Sequence, residues 1–227
     1  MKKFFISILI VIFALTVSIT TVGCAGTQIL SDLYHVCVYD NDVCVNCSAK
    51  RPSNGLLYTE YGDGYALVGI GTCTDTEIVI SAYHLGKPVI AINSFSDNKL
   101  VTSIEIPHTV KTIFASAFSG CTKLQKVIFS KNSALTEIGI NAFKYCFSLT
   151  QIELPNSLTT IQNGAFLGCS GLEEIFIPIS VTTVRNSIFE GCTNLTKIYC
   201  QANSKPNGWD NNWMSYCPAT VYWNSER

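Results

Sequence analysis

A pattern of apolar and polar positions repeats along residues 95–189. Phenylalanine recurs at intervals of 23, 25, 23 and 23 positions, at Phe95, Phe118, Phe143, Phe166 and Phe189. Six positions after each Phe stands Val or Leu, and a short run with apolar residues at every second position follows. Alternation with a period of two predicts a strand with one buried face. A fixed period in the twenties predicts a solenoid of stacked coils.

Two groups of apolar residues in each unit are predicted to face the core. The first group forms the strand, at Ile104/Ile106, Val127/Phe129, Ile152/Leu154, Ile175/Ile177 and Ile198/Cys200. The second group follows it, at Val110/Ile113, Leu135/Ile138, Leu158/Ile161 and Val181/Val184. Because one unit cannot bury these side chains alone, neighbouring units must share a continuous core. The 25-residue interval has its two additional residues in the polar stretch 130–134, which we expect to be a surface turn.

The repeated unit resembles a leucine-rich repeat of the BspA-like type. The resemblance is carried by Ala165-Phe166, Cys169, Leu172, Ile175, Ile177-Pro178, Ser180-Val181-Thr182 and Val184. It implies a leucine-rich repeat solenoid over residues 65–227, mainly β with short helical or 3-10 turns, with about five 23-residue coils and a cap at each end. It also implies a cell-surface adhesion or host-interaction role, with extracellular-matrix or partner proteins as ligands.

The first 23 residues are typical of a secretory signal peptide. Lys2 and Lys3 precede an apolar run, and residues 21–24 resemble a bacterial lipobox that ends at Cys24. We therefore expect Cys24 to be lipidated and to anchor the chain to the outer face of a bacterial membrane. Ordinary cleavage near Ala25 and an uncleaved membrane anchor are the alternatives. All three place the remaining chain in a secreted or cell-surface location, with membrane contact only through the anchor or the N-terminal segment.

Residues 24–64 are interpreted as a cysteine-rich segment followed by a linker. His35, Cys37, Cys44 and Cys47 are four side chains of the types that bind Zn²⁺ in a tetrahedral site. A disulfide with a spare thiol is the competing interpretation, and neither arrangement is the third. No other cofactor is expected. The linker is placed at 52–64, which is polar and rich in turn residues.

Caps are predicted at both ends of the solenoid. Residues 65–80 are expected to form a hairpin with its bend at 72–75, which closes the first coil. At the other end, Trp209, Trp213 and Trp223 are expected to cover the last coil. The alternative is that exposed tryptophans stack on sugar rings. A disulfide between Cys200 and Cys217 is a further pairing that the spacing allows.

No catalytic motif emerges from the sequence, so we expect a protein that is not an enzyme. The three histidines lie in unrelated contexts, and none belongs to a nucleophile or zinc-protease motif. Cys121, Cys146, Cys169 and Cys192 recur once per unit, and we expect them to be buried and weakly hydrogen-bonded. The net charge of −1 gives no basic patch, which excludes nucleic acid as an expected partner.

The outward positions of the strands are the best candidates for a binding surface. They stack into two columns, and the ligand-face residues are Lys126, Gln151, Glu174 and Lys197 in the first column and Ile128, Glu153, Phe176 and Tyr199 in the second. Ile128, Phe176 and Tyr199 are apolar where solvent is expected, and apolar residues among charges suit a protein-binding patch. We therefore predict a non-enzymatic cell-surface protein-interaction or adhesion module. Glycan binding through the C-terminal aromatics and a structural surface spacer are the alternatives.

Overall fold

The computed structural model describes residues 39–40, 43–44 and 50–226. The chain divides into two compact units, 1–49 and 50–227. In the first unit, β1 (Tyr39–Asp40) pairs antiparallel with β2 (Val43–Cys44). The predicted signal peptide, Cys24, His35, Cys37 and Cys47 lie outside the described residues, and Cys44 is described only by its backbone in β2. Within the described residues, no helix has the length and hydrophobicity needed to cross a membrane.

The second unit is a solenoid made of short strands. Its elements are β3 (Leu57–Tyr61), β4 (Gly64–Gly69), β5 (Glu77–Val79), β6 (Tyr83–His84), β7 (Lys87–Ile92), β8 (Ser103–Ile106), β9 (Thr112–Ile113), β10 (Lys126–Phe129), β11 (Glu137–Ile138), β12 (Gln151–Ile152), β13 (Thr160–Ile161), β14 (Glu174–Ile177), β15 (Thr183–Val184), β16 (Lys197–Cys200) and β17 (Thr220–Tyr222). The predicted solenoid and its repeat are confirmed.

Two sets of parallel strands run along the solenoid, one on each side of the core. The first set contains β5, β8, β10 and β12, and then β14, β16 and β17; the isolated bridge Glu153–Phe176 joins its two parts. The second set contains β4, β7, β9, β11, β13 and β15 in that order, with β3 added antiparallel to β4. The pairs Ile104–Val127 and Ile113–Ile138 show that equivalent positions of successive coils lie side by side. This register builds columns of like positions on both surfaces.

The turn at each Phe forms an alternating hydrogen-bond pattern rather than a helix. In the coil of Phe118, the amides of Ser116, Phe118 and Gly120 donate to carbonyls of the next coil at 2.7–2.8 Å. The amides between them donate to carbonyls three residues earlier in the same turn. Ser116 and Gly120 have positive φ angles of 58° and 71°, which reverse the local chain direction. The expected short helical turns are therefore isolated hydrogen-bonded turns, and no helix occurs among the described residues.

The phenylalanine and cysteine positions form two buried ladders, as predicted. Consecutive rings from Phe95 to Phe189 stack with centroids 5.2–5.7 Å apart. The Sγ of each repeat cysteine donates to the carbonyl of the Phe one coil earlier, at 3.1 Å in all four coils. Each thiol therefore adds a hydrogen bond to a buried carbonyl that also accepts from the amide three residues later in its own turn. All four cysteines are buried and free.

The N-terminal cap differs from the prediction. The predicted hairpin over 65–80 is wrong, because β4 pairs with β3 around the turn at Gly62, while β5 pairs in parallel with β8. The chain between β4 and β5 crosses from one strand set to the other. The interpretation of 52–64 as a linker is also wrong in part, since β3 lies within it. β3 is an edge strand with four of its five residues exposed, and the polar turn residues on both sides of it give 52–64 the composition of a linker.

Candidate functional site

The predicted ligand-face residues lie together on the outer surface of the first strand set. Lys126 pairs in register with Gln151, Glu174 with Lys197, and Phe176 with Tyr199. The bridge between Glu153 and Phe176 continues the second column across the junction of the two sheets. We call the surface formed by Lys126, Ile128, Gln151, Glu153, Glu174, Phe176, Lys197 and Tyr199 the sheet face.

The sheet face combines exposed polar groups with half-buried apolar ones. Lys126, Gln151, Glu153, Glu174 and Lys197 are exposed, whereas Ile128, Phe176 and Tyr199 are half-buried beside their column neighbours. Glu174 and Lys197 stand directly opposite each other, which is a favourable cross-strand pair. Such a surface can offer apolar contact area and directional polar contacts at once.

Two residues that sequence reasoning missed extend this surface toward the C-terminus. β17 pairs with β16, so Thr220 lies beside Lys197 and Tyr222 beside Tyr199. The rings of Tyr199 and Tyr222 stack with centroids 5.4 Å apart, and Tyr222 is 43% exposed. The signal was present in the sequence, because Tyr222 follows Tyr199 by the same 23 positions that separate the phenylalanines.

At the other end, an ion pair occupies part of the outer surface. Glu105 lies beside Ile128 in the register, and its carboxylate is 3.9 Å from the Lys50 ammonium group. Half of the Lys50 side chain is exposed, so solvent screens this pair and it contributes little to stability. Its effect on the site is to neutralise the acidic residue next to Ile128.

Two of the three C-terminal tryptophans, Trp209 and Trp213, are buried in a cap. Trp209 and Trp213 are each only 3% exposed, and their rings contact one another with centroids 5.0 Å apart. The Trp209 indole donates to the Val181 carbonyl at 2.9 Å, and Trp213 packs on Phe189 at the end of the ring ladder. The predicted cap is confirmed. The alternative, in which exposed tryptophans stack on sugars, is wrong for Trp209 and Trp213, because neither ring has a free face. Trp223 is half-buried and contacts Trp209, with ring centroids 5.8 Å apart.

The thiols and histidines of the solenoid have structural environments. Burial raises the pKa of Cys121, Cys192 and Cys200 to about 12, so their thiols stay protonated at neutral pH. Cys200 and Cys217 are both free, so the disulfide that the spacing allowed is absent. His84 stacks on Tyr58 with centroids 4.3 Å apart, and its desolvation lowers the pKa of the imidazole. Among the described residues, no group of three or more His, Cys, Asp or Glu could hold a metal ion.

Comparison with known proteins gives a consistent result. A family model described as a BspA type Leucine rich repeat region matches residues 89–218 in six copies. The comparison with curated proteins gives no match.

Solved structures of bacterial proteins share the fold. A leucine rich cell surface protein from Faecalibacterium prausnitzii is 27% identical, with a TM-score of 0.60, over 76% of this chain and 54% of that one. A leucine-rich repeat protein from Bacteroides ovatus is 26% identical, with a TM-score of 0.53, over 66% of this chain and 47% of that one. The T. pallidum leucine rich repeat protein is 21% identical, with a TM-score of 0.56, over 76% of this chain and 98% of that one, and shows the fold alone. The chain thus spans about half the length of the first two.

Proposed function

The chain belongs to the BspA-type leucine-rich repeat family, and we propose that it is a non-enzymatic interaction module of the bacterial cell surface that binds an extracellular or host protein through its sheet face. The observation that carries this proposal is the second column, in which Ile128, Phe176 and Tyr199 keep part of their apolar surface open to solvent. Partly exposed aromatic residues surrounded by charges are typical of the centre of a protein interface.

The opposite strand set of the solenoid supports this assignment of the site. On the opposite strand set, the outward positions of successive coils are Thr112, Glu137, Thr160 and Thr183. These three threonines and one glutamate offer little apolar area to a partner. The sheet face offers two aromatic rings and an isoleucine within the same few coils, so it has more contact area to desolvate on binding.

The N-terminal part of the proposal concerns export and anchoring. We propose that residues 1–23 direct secretion and that Cys24 carries a lipid, because the apolar run is followed by a small residue and a cysteine. A diacylglyceryl-sized mass increment on Cys24 in membrane-extracted protein would support it. We also propose that His35, Cys37, Cys44 and Cys47 bind zinc, which elemental analysis of protein purified under reducing conditions would test.

Replacing both aromatic residues of the sheet face is expected to abolish protein binding. The chain without its proposed signal peptide, residues 1–23, is called the exported chain and is applied to arrays of matrix proteins and polysaccharides. Phe176→Asp/Tyr199→Asp is the test variant. Two central aromatic residues contribute on the order of 2 kcal/mol each, so we expect affinity for the bound protein to fall by at least about 100-fold.

A matched control separates this effect from a general charge effect. Thr160→Asp/Thr183→Asp adds the same two charges at outward positions on the opposite strand set, in neighbouring coils. It should bind like the wild type. A folded Phe176→Asp/Tyr199→Asp variant with full affinity would refute the proposal. Binding to polysaccharides alone would also refute it. Binding to nothing on the arrays would refute it as well and would favour a structural surface spacer.

A further inference from the structure

A groove opens on the sheet face where one turn is longer than its neighbours. Leu135 follows Phe129 by six positions, whereas Leu158 follows Leu154 and Val110 follows Ile106 by only four. The two additional residues lie in the turn after β10, which reverses at Asn132 with a φ of 57°. This turn forms one wall of a groove of about 670 Å³, and the turn after β12 forms the other. A volume of that size lies within the range of ligand-binding clefts.

The lining of the groove combines an apolar side chain with two cationic groups. Ile128 lines the groove, with Lys126 two residues before it on the same strand and Lys131 in the longer turn. Both lysines are exposed, and neither side chain has an ion-pair or hydrogen-bond partner among the described residues. Gln151 and Asn132 add neutral polar groups to the lining.

The charge of the lining remains positive when its acidic member is included. Glu153 also lines the groove, so two lysines and one glutamate give a net charge of +2 − 1 = +1. The next acidic residue along the column, Glu105, is already neutralised by Lys50. A ligand with carboxylates would therefore meet attraction from two sides.

We infer that this groove binds an acidic segment of an extended peptide, whose carboxylates meet Lys126 and Lys131 while an apolar side chain packs on Ile128. The inference rests on the proposed function, because it names the chemistry of the protein partner at the same face. The second column continues from Ile128 toward Phe176 and Tyr199. A peptide that runs along this column would place its acidic end in the groove and its apolar residues on the aromatic rings.

The observations favour a peptide over a polyanion. Two cations match one or two carboxylates, whereas nucleic acids and sulfated glycans need a longer basic track. The Ile128 side chain in the lining also favours a ligand with an apolar group, which a strongly charged polymer does not supply. The ligand is therefore expected to carry acidic and apolar residues in alternation.

Fluorescein-labelled peptides of alternating Glu and Leu, Gln and Leu, or Lys and Leu are the probes. Fluorescence anisotropy with the exported chain should show binding of the Glu/Leu peptide about tenfold tighter than the Gln/Leu peptide. Lys126→Gln/Lys131→Gln should remove that difference. Lys111→Gln/Lys123→Gln, which changes two exposed lysines outside the groove, should preserve it. Raising the salt to 0.5 M should weaken the Glu/Leu complex, because screening is then effective over roughly 4 Å.

Equal affinity for the Glu/Leu and Gln/Leu peptides, or an unchanged Lys126→Gln/Lys131→Gln variant, would overturn the inference. Lysine-dependent binding of heparin as tight as that of the Glu/Leu peptide would assign the groove to anions in general and would also overturn it. If these tests fail while Phe176→Asp/Tyr199→Asp still abolishes binding to an array protein, the proposed function stands without the groove. If the aromatic variant retains that binding, the proposed function fails, whichever peptide the groove prefers.

Discussion

Replacing Phe143 with alanine is expected to lower the free energy of unfolding by about 3–5 kcal/mol. The ring is fully buried and stacks between Phe118 and Phe166, with centroids 5.2 and 5.5 Å away. Its removal leaves a cavity between two neighbouring rungs, and hydrogen bonds between coils hold the backbone on both sides too firmly for it to collapse. Chemical denaturation followed by circular dichroism measures the change.

Phe147 provides a matched control in the same coil. It lies four residues further along the chain and is 48% exposed, so Phe147→Ala removes the same side chain from a surface site. We expect it to change stability by less than about 1 kcal/mol. Similar losses for Phe143→Ala and Phe147→Ala would mean that the ring ladder does not hold the coils together.

The second large effect is a loss of stability at alkaline pH. Burial raises the pKa of Cys121, Cys192 and Cys200 from 9.0 to about 12, and it raises the pKa of Cys169 in the same direction. The folded chain therefore keeps these thiols protonated at a pH where the unfolded chain releases their protons. Their contribution to stability is complete below about pH 9 and is lost as the pH rises from 9 toward 12. Within this pH range, ionisation of each thiol in the unfolded chain should lower the free energy of unfolding by on the order of 1 kcal/mol per pH unit.

Denaturation midpoints between pH 8 and pH 10 test this effect. In that window the Tyr58 hydroxyl, whose burial raises its pKa from 10.0 to about 12, contributes little. The variant Cys121→Ala/Cys192→Ala should be less stable at pH 8 but should lose stability more slowly as the pH rises. A pH slope equal to that of the wild type would show that the buried thiols do not titrate on unfolding.

The repeated part of the fold is predictable from sequence because each coil has the same residue types at the same spacing. The positions of Phe118 and Cys121 in one coil recur in the next, so a single misreading would conflict with its neighbours. The N-terminal cap has no such repetition. β3 pairs on one edge only and exposes most of its side chains, and polar turn residues surround it, so the segment resembles a linker. No repeated sequence pattern indicates that it pairs with β4.

The residues of the sheet face were predictable from the sequence, but the groove on that face was not. Alternation along the strands correctly places Phe176 and Tyr199 next to each other on the surface. It does not indicate the groove, because the spacing shows two additional residues near Asn132 but does not show that the turns after β10 and β12 enclose a cavity. The sequence also did not decide whether Trp209 is buried, since tryptophan suits both a cap and a binding surface. The hydrogen bond from its indole to the Val181 carbonyl shows that it belongs to the cap.

Both ladders explain why the sheet face is available for binding. The amides of the Phe turns donate hydrogen bonds to carbonyls of the next coil, and the repeat cysteines donate to carbonyls inside the core. The outward residues of the first strand set take no part in that core. Substitutions there can therefore change recognition while the stacked coils keep their register, which is how a solenoid adapts one scaffold to different partners.

Side-chain footprinting of a complex tests the location of the binding surface most directly. The protein, alone and with the array protein that it binds, is exposed to hydroxyl radicals, and oxidation is measured by mass spectrometry at each solvent-accessible aromatic residue. We predict that the partner protects Phe176, Tyr199 and Tyr222, while Tyr145 and Phe147 at the Phe turns react as before. Protection of Tyr145 and Phe147 with undiminished oxidation of Phe176 and Tyr199 would contradict the account and would move the binding surface to the turns.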